Sequence, residues 1–512
     1  MNRYLGRVID RVTFQTGLAH YIGLMTERKL SLHWFRRDLR TSDNLALLSA
    51  LRHGPTVAVF VLDEHPSMRA LGGASRWWLH HSLVALQKDL TALGVALILV
   101  RGDAGAVIPK LCRELRIGHV TANRGYDAGA IAAEQALHTA LTGHDIRLEL
   151  HAGNLLHDPN TLRTGQGRPY QVYTPFWRAL TATGEPAPPL PAPVAQSASD
   201  LLQAAAKHSE SLADWGLLPT APDWAQGMRT EWQPGEAGAQ RRLAEFFPRA
   251  LHGYKEMRNN PDRVGTSRLS PHLAFGEISP RQIWQATKTY CAAHGLNPMA
   301  GDAEHFLKEV CWREFSYHLL VHFPNLPTEP LRPQFKRFPW ADDPQGLRAW
   351  QCGKTGYPIV DAGMRELWQT GWMHNRVRMI AASFLIKDLL LPWQLGEAWF
   401  WDTLLDADPA NNAASWQWVA GCGADAAPYF RIFNPVLQGE KFDPNGDYVR
   451  RFVPELAKLP NRLIHQPWQA TPLELREAGV TLGGNYPNPL VDHNQARQRA
   501  LAALATISES AA

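Results

Sequence analysis

From Leu30 onward, short runs of apolar and β-branched residues alternate with longer stretches that carry helical spacing. Residues 30–35, 56–62, 95–100, 119–122 and 146–150 read as buried strands bounded by turn residues. Residues 76–93 and 128–141 lie between them and repeat their apolar positions at helical intervals. This alternation predicts an α/β domain over 30–152, a doubly wound parallel sheet. No G-x-G-x-x-G follows the first strand, so the dinucleotide fingerprint is missing. Pro- and Ala-rich stretches, PAPPLPAP at 186–193 among them, mark 153–238 as an interdomain connector. From 239 to 490 the pattern is helical throughout, which predicts an all-α domain. Residues 491–512 read as a tail whose helix frays. Residues 1–29 have no pattern of their own and read as an extension of doubtful order, with Met25 an alternative start.

One stretch of the helical half stands out. Asp408 followed by Pro409 reads as a helix start, and Gly421 with Gly423 as its stop. On the helix between them Asn412 and Trp416 share a face, while Trp418 points nearly the opposite way. An amide, two indoles and two nearby acids, Asp406 and Asp408, exceed what an ordinary core helix needs. They predict a flat, polar partner beside the helix.

Composition narrows the class. Charged residues make up 20% and apolar ones 45% of 512, the balance of a soluble globular chain. No apolar run reaches membrane-span length, since 379–391 is broken by Lys387 and Asp388. A net charge of +4 permits nucleic-acid binding without arguing for it. Five isolated cysteines form no C-x-x-C pair, which argues against a zinc ribbon and suits the cytoplasm. Eleven of nineteen tryptophans fall between Trp284 and Trp418, and for most of them core filling is the plain reading.

Three further constellations carry candidate chemistry. Tyr254 and the run Gly265 to Pro271 place hydroxyls and Arg268 ahead of a helix start, where they can serve phosphate oxygens. The plainer reading is that Ser270 caps the helix. Glu309 and Arg313 are one turn apart and read as an i,i+4 pair. In 371–379, Asn375, Arg378 and Met379 share a helical face. Arg378 among apolar neighbours needs an acid, and Asp406 is the proposed partner. A solvated basic face fits Arg376 better than Arg378.

Read together, FRRDLR (35–40), DNLAL (43–47), GTSRLSPHLAFGEISPRQ (265–282), CWREF (311–315), GWMHNRVRM (371–379) and NNAASWQWVAGCGADAAPYFRIFNP (411–435) resemble the photolyase/cryptochrome flavoproteins. The resemblance runs from about 30 to 490 and is greatest to the bacterial cyclobutane pyrimidine dimer photolyases. It implies a non-covalent FAD in the helical domain and light-driven electron transfer from reduced flavin into a pyrimidine dimer of UV-damaged DNA. By motif, Tyr254, Thr266, Ser267, Leu269 and Ser270 would hold the phosphates and ribitol. Arg313, Asn375, Arg378, Asp406 and Asp408 would surround the ring systems, with Asn412 rather than its neighbour Asn411 facing flavin N5.

The same resemblance implies that Trp312 and Trp418 clamp a flipped-out dimer, that Glu309 bonds its base edges, and that Met379 packs against it. Arg258, Arg376, Arg431 and Lys441 would contact DNA phosphates. Trp416, Trp393 and Trp340 would form an electron-hopping chain. Relatives that act on the (6-4) photoproduct carry histidines at the positions of Asn375 and Met379, so dimer repair is favoured. Both clamp indoles and the short C-terminal tail favour an enzyme over a cryptochrome-like receptor, the alternative reading. A second, antenna chromophore (folate, deazaflavin or flavin) is compatible with the family. The segment 123–134 lacks the acid and amide of folate-binding relatives. The chain is expected to be monomeric and free of metal.

Overall fold

The computed structural model describes residues 30–63, 68–196, 199–426 and 430–509. The expected extension over 1–29 lies outside these, as do Ala427, Pro428 and Tyr429 of the longest motif.

The first half alternates strand and helix: β1 (Leu30–Phe35), α1 (Leu45–His53), β2 (Thr56–Leu62), α2 (Gly73–Ala92), β3 (Ala96–Arg101), α3 (Ala104–Glu114), β4 (Ile117–Asn123), α4 (Ala128–Thr142) and β5 (Arg147–His151). All strands pair in parallel in the order β3-β2-β1-β4-β5. The expected doubly wound sheet is present, with strand ends displaced by one or two residues. Helices cover both faces, which is why the central strands are apolar nearly throughout. One face packs Phe35, Phe60 and Leu97 against Trp77, Trp78 and Leu83 of α2. The other packs Trp34, Val59 and Ile98 against Ile108 of α3 and Leu137 of α4.

The segment read as a connector is packed on both sides of it. Tyr173, Phe176 and Trp177 of α5 (Tyr173–Ala182) bury against α6 (Gly301–His322), while Trp215 and Trp232 join the α2 cluster. The two halves also meet directly. Gly73 N–H donates to Asp402 Oδ1 (2.8 Å), and a side chain at Gly72 would collide with the backbone of Trp401 and Asp402.

Four helices of the second half carry the site: α6, α7 (Asn375–Ser383), α8 (Trp393–Thr403) and α9 (Asn411–Ala420). The terminal helix α10 (His493–Glu509) does not fray as expected. Its Ala500, Ala503 and Ile507 enter the main helical core, and His493 Nδ1 lies 2.6 Å from buried Asp388. Apolar burial outweighs the end effects that its position suggested.

Candidate active site

α9 begins at Asn411, two residues later than the expected Pro409 start, with Ala410 at the cap position, and Asp408 holds the turn that leads into it. Asp408 Oδ1 accepts from the N–H of Ala410 (3.0 Å) and Asn411 (2.8 Å), and its carbonyl accepts the first helical bond from Asn412. Gly421 ends the helix at φ 86°, in the left-handed region that favours glycine. Asn412 and Trp416 both face α8. Asn412 Nδ2 donates to the carbonyl (3.0 Å) and Oε1 (2.8 Å) of Glu397, and the Trp416 ring lies over Gly396 so closely that a β-carbon there would overlap it. With Nδ2 held this way, Asn412 presents its carbonyl oxygen. Asn411 instead turns its amide back to Asp408 (2.9 Å).

The proposed Arg378–Asp406 pair is formed. Nη1–Oδ1 is 3.0 Å and Nη2–Oδ2 is 2.7 Å, with Nε donating to Met373 O at 2.7 Å. Arg37 of the FRRDLR motif donates to Ala407 O (3.3 Å), between the two acids. Asp408 itself, expected among the cofactor contacts, spends Oδ1 on the helix start and accepts from Tyr317 O–H at Oδ2 (2.6 Å). It acts by fixing where α9 begins.

Three local expectations are corrected. Ser270 does not cap its helix, because the cap residue is Leu269 and Ser270 is already in the first turn. Its Oγ accepts from Trp372 Nε1 at 3.3 Å. Arg268 is paired with Glu231 and lies over the Trp232 and Trp372 rings, so its charge is already compensated. Glu309 and Arg313 do not pair. Glu309 takes Arg258, and Arg313 donates to Asn154 O (2.9 Å) of the connector. Neighbours from other elements outcompete a one-turn pair worth only about 0.3–0.5 kcal/mol.

The residues expected to meet DNA are held by neighbours from several elements. Trp312 stacks on Tyr173, with ring centroids 3.8 Å apart and planes 7° apart. The Tyr173 hydroxyl donates to Lys308 O (2.6 Å) and its N–H to Asp425 Oδ1 (3.2 Å). Asp425 lines a small cavity with Trp418 and Arg431, and Arg431 lies over the Trp418 ring (5.5 Å). Arg376 donates to Asn259 Oδ1 (2.6 Å), lies over Phe442 and meets Met379 Sδ (3.7 Å), so it is held in place rather than solvated. Lys441 approaches the same Phe442 ring. Asn375 is exposed at the start of α7. Among the described residues Arg376, Arg431 and Lys441 have no carboxylate at ion-pair distance.

Several groups lack a protein partner, which fits a polar cofactor. Among the described residues Nε of Arg313 and of Arg376 and Nε2 of His374 are buried and unpartnered, while the hydroxyls of Tyr254, Thr266 and Ser267 are accessible and take part in no hydrogen bond. The unfilled donors suit phosphate and carbonyl oxygens; the Asn412 oxygen suits a ring N–H. Glu397, Arg37, Tyr173 and Trp372 escaped the sequence reading. Arg37 and Trp372 had a signal, since each lies in a quoted motif, FRRDLR or GWMHNRVRM, where it was left without a role.

His374 caps α7 through Nδ1, which accepts from Arg376 N–H (3.2 Å). Burial, then the charges of Arg376 and Arg378, hold its pKa down to about 3. A depressed histidine contributes stability that is complete above pH 6.5 and lost as pH falls toward 3. His318 and His465, held at about 4, act in the same direction. Between pH 6.5 and 5 His374 is expected to account for about 2 kcal/mol of that loss. Tm measured against pH for wild type and His374→Asn checks this, with a flatter curve expected for the variant.

Fold and site together define a flavin-dependent, DNA-directed class. A DNA photolyase model matches residues 31–194, and the model of the FAD binding domain of DNA photolyase matches 306–506. The chain belongs to the DNA photolyase family. It is 52% identical over 478 residues to a deoxyribodipyrimidine photo-lyase of Agrobacterium fabrum, covering 93% of this chain and 98% of that one. The crystal structure of a bacterial class III photolyase from Agrobacterium tumefaciens superposes with a TM-score of 0.90 at 52% identity, covering 94% and 98%. Cryptochrome-1 of Arabidopsis thaliana is 38% identical over 92% of this chain and 69% of its own.

Proposed function

We propose that this protein is a light-dependent DNA repair enzyme that splits cyclobutane pyrimidine dimers, a deoxyribodipyrimidine photo-lyase holding FAD. The observation that carries this reading is the Arg378–Asp406 pair, formed between two residues that the family resemblance implies beside the flavin. Glu309, paired with Arg258, and Trp312, stacked on Tyr173, lie three residues apart on α6 and offer the acid and the indole that a dimer would meet. When bound and photoexcited, the reduced flavin supplies the electron that opens the cyclobutane ring.

The chain's own residues do the rest. Thr266, Ser267, Ser270 and Tyr254 bind the cofactor's phosphate and ribitol oxygens, and Arg378, held by Asp406, offers a fixed cation beside the ring system. Asn412, oriented by Glu397, presents an acceptor to a ring N–H. Trp312 is kept flat by Tyr173 and, with Trp418, receives a flipped dimer whose base edges meet Glu309 and Asn375. Arg376, Arg431 and Lys441 hold the flanking phosphates. Flipping costs a few kcal/mol, least at a damaged site, which biases the pocket toward lesions.

Trp416, packed over Gly396 of α8, Trp393 at the start of that helix and half-buried Trp340 are read as an electron-hopping chain. They serve photoreduction. Trp416→Phe is expected to slow light-driven flavin reduction at least about tenfold while leaving repair by chemically reduced enzyme unchanged, since phenylalanine preserves packing but not the oxidisable indole. Transient absorption and a repair assay separate the two.

A cleft of about 770 Å3, lined by Arg124, Tyr126, Glu134, His138, Leu150 and Asn160, is large enough for a second chromophore. Glu134 on its wall is already engaged by Arg36 (2.6 Å) and Gly125 N–H (2.6 Å). Among the described residues no helix is long and apolar enough to cross a membrane. A reducing, cytoplasmic setting agrees with the five free cysteines.

The deciding experiment exposes reduced protein and an oligonucleotide with one thymine dimer to blue light. Restored thymines in light and none in darkness support the proposal. No repair by fully reduced protein turns the reading toward a cryptochrome-like receptor, which the tryptophan chain also suits.

A further inference from the structure

Beside the edge strand of the sheet, four side chains that the repair chemistry does not use converge on one polar patch. His119 of β4 and Glu149 and His151 of β5 project from the same sheet face, because the parallel register pairs His119 with Arg147, Thr121 with Glu149 and Asn123 with His151. His53 reaches them from the last turn of α1, which covers that face. Glu149 lies between two imidazoles, with Oε2 3.1 Å from His119 Nε2 and Oε1 3.1 Å from His151 Nε2. The His53 and His119 rings are 3.9 Å apart. The ligand atoms offered by His53, His119 and Glu149 all lie within 4.8 Å of one another.

We propose that His53, His119 and Glu149, with His151 beside Glu149, form a binding site for a divalent transition-metal ion of the zinc class. Three observations point to a ligand rather than to a self-contained hydrogen-bond cluster. His53 Nδ1 is 2.9 Å from Ser49 O, and a carbonyl only accepts, so the proton sits on Nδ1 and the lone pair is on Nε2. That backbone bond is how metal-binding imidazoles are oriented. His119 is 6% exposed, yet its Nδ1 has no partner, and His151 Nε2 makes no aligned hydrogen bond despite its distance from Glu149. Glu149 is itself steadied by Ser49 Oγ at 3.3 Å, the outer support expected of a carboxylate ligand.

The donor set decides the kind of ion. Two imidazole nitrogens and one carboxylate, without a thiolate, suit Zn2+, Co2+ or Ni2+ and not Mg2+ or Ca2+. Tetrahedral ligands at about 2.0–2.2 Å from the ion stand about 3.4 Å apart. The three ligand atoms, within 4.8 Å of one another, close onto an ion by contracting at most about 1.4 Å, and His53, exposed at a helix end, has the freedom to move. The ion keeps a fourth position for water beyond its three protein ligands. It ties α1 to the edge strand.

Holoprotein treated with a chelator and then titrated with Co2+ tests this. One equivalent is expected to bind, with intense visible d–d bands on the long-wavelength side of the flavin absorption, and Zn2+ is expected to displace it and raise Tm. His53→Ala and the isosteric Glu149→Gln should each remove the bands and weaken binding at least about 100-fold, beyond the 10–100-fold typical of outer-shell changes. His294→Ala, at an exposed histidine elsewhere, should change neither. Equal flavin content in all four proteins shows that each is folded. Absent bands in the wild type, or bands that survive both ligand variants, would overturn the site.

Discussion

Asp406→Ala protein is expected to purify largely without flavin and to have lost light-driven repair. Asp406 meets both terminal nitrogens of Arg378, whose side chain is 24% exposed and whose Nε is fixed by Met373 O. Deleting the acid leaves a mostly buried guanidinium without its counter-charge. Breaking such a pair costs about 3–5 kcal/mol, and the residual exposure places this one toward the lower end. A loss of that size, taken from the geometry that receives the cofactor, lowers flavin affinity by at least about 100-fold. Asp406→Asn keeps an acceptor but not the charge and should retain more flavin. The flavin-to-protein absorbance ratio after purification, with Tm measured alongside, reads both effects. An Asp406→Ala protein with full flavin content would show that the pair stabilises the fold only.

Glu309→Ala should be the complementary case: flavin and photoreduction intact, repair reduced by about 10–100-fold. A hydrogen bond to a charged group contributes about 1.5–3 kcal/mol, and here it acts on the substrate alone. The wild-type Glu309 is held by Arg258, so the substitution also frees that cation. Arg258→Ala and the double variant separate the two contributions, because residues in direct contact give non-additive effects. A coupling near zero assigns the loss to Glu309's own contact with the bases. Unchanged repair in Glu309→Ala would falsify the placement of the lesion at Glu309.

Both predictions rest on pairs that the chain's linear order treats very differently. Arg378 and Asp406 were legible as partners, because an arginine on an apolar helical face needs an acid and few acids were available. Glu309 was assigned to Arg313, one turn away, although its partner lies 51 residues back in Arg258. Spacing reveals which side chains share a face of one helix. It does not reveal what another element brings to that face.

By itself the sequence determined the local design of this protein. Strand runs bounded by turns, the Gly421 stop of α9, its start to within two residues of Pro409, and the common face of Asn412 and Trp416 follow from periodicity and capping, which depend only on neighbours within a turn or two. The motifs in their order pointed to the flavoprotein family. Tertiary structure alone decided which groups are spent and which are free. Glu397 turns the Asn412 amide, Tyr173 of the connector flattens Trp312, Glu231 neutralises Arg268, and α10 packs where a frayed tail was expected. It also brought His53 beside His119 and Glu149, residues of three separate elements. These outcomes are contacts between distant segments, in which burial raises the cost of every unpaired charge, so the partner that arrives in space prevails over the one nearest in sequence.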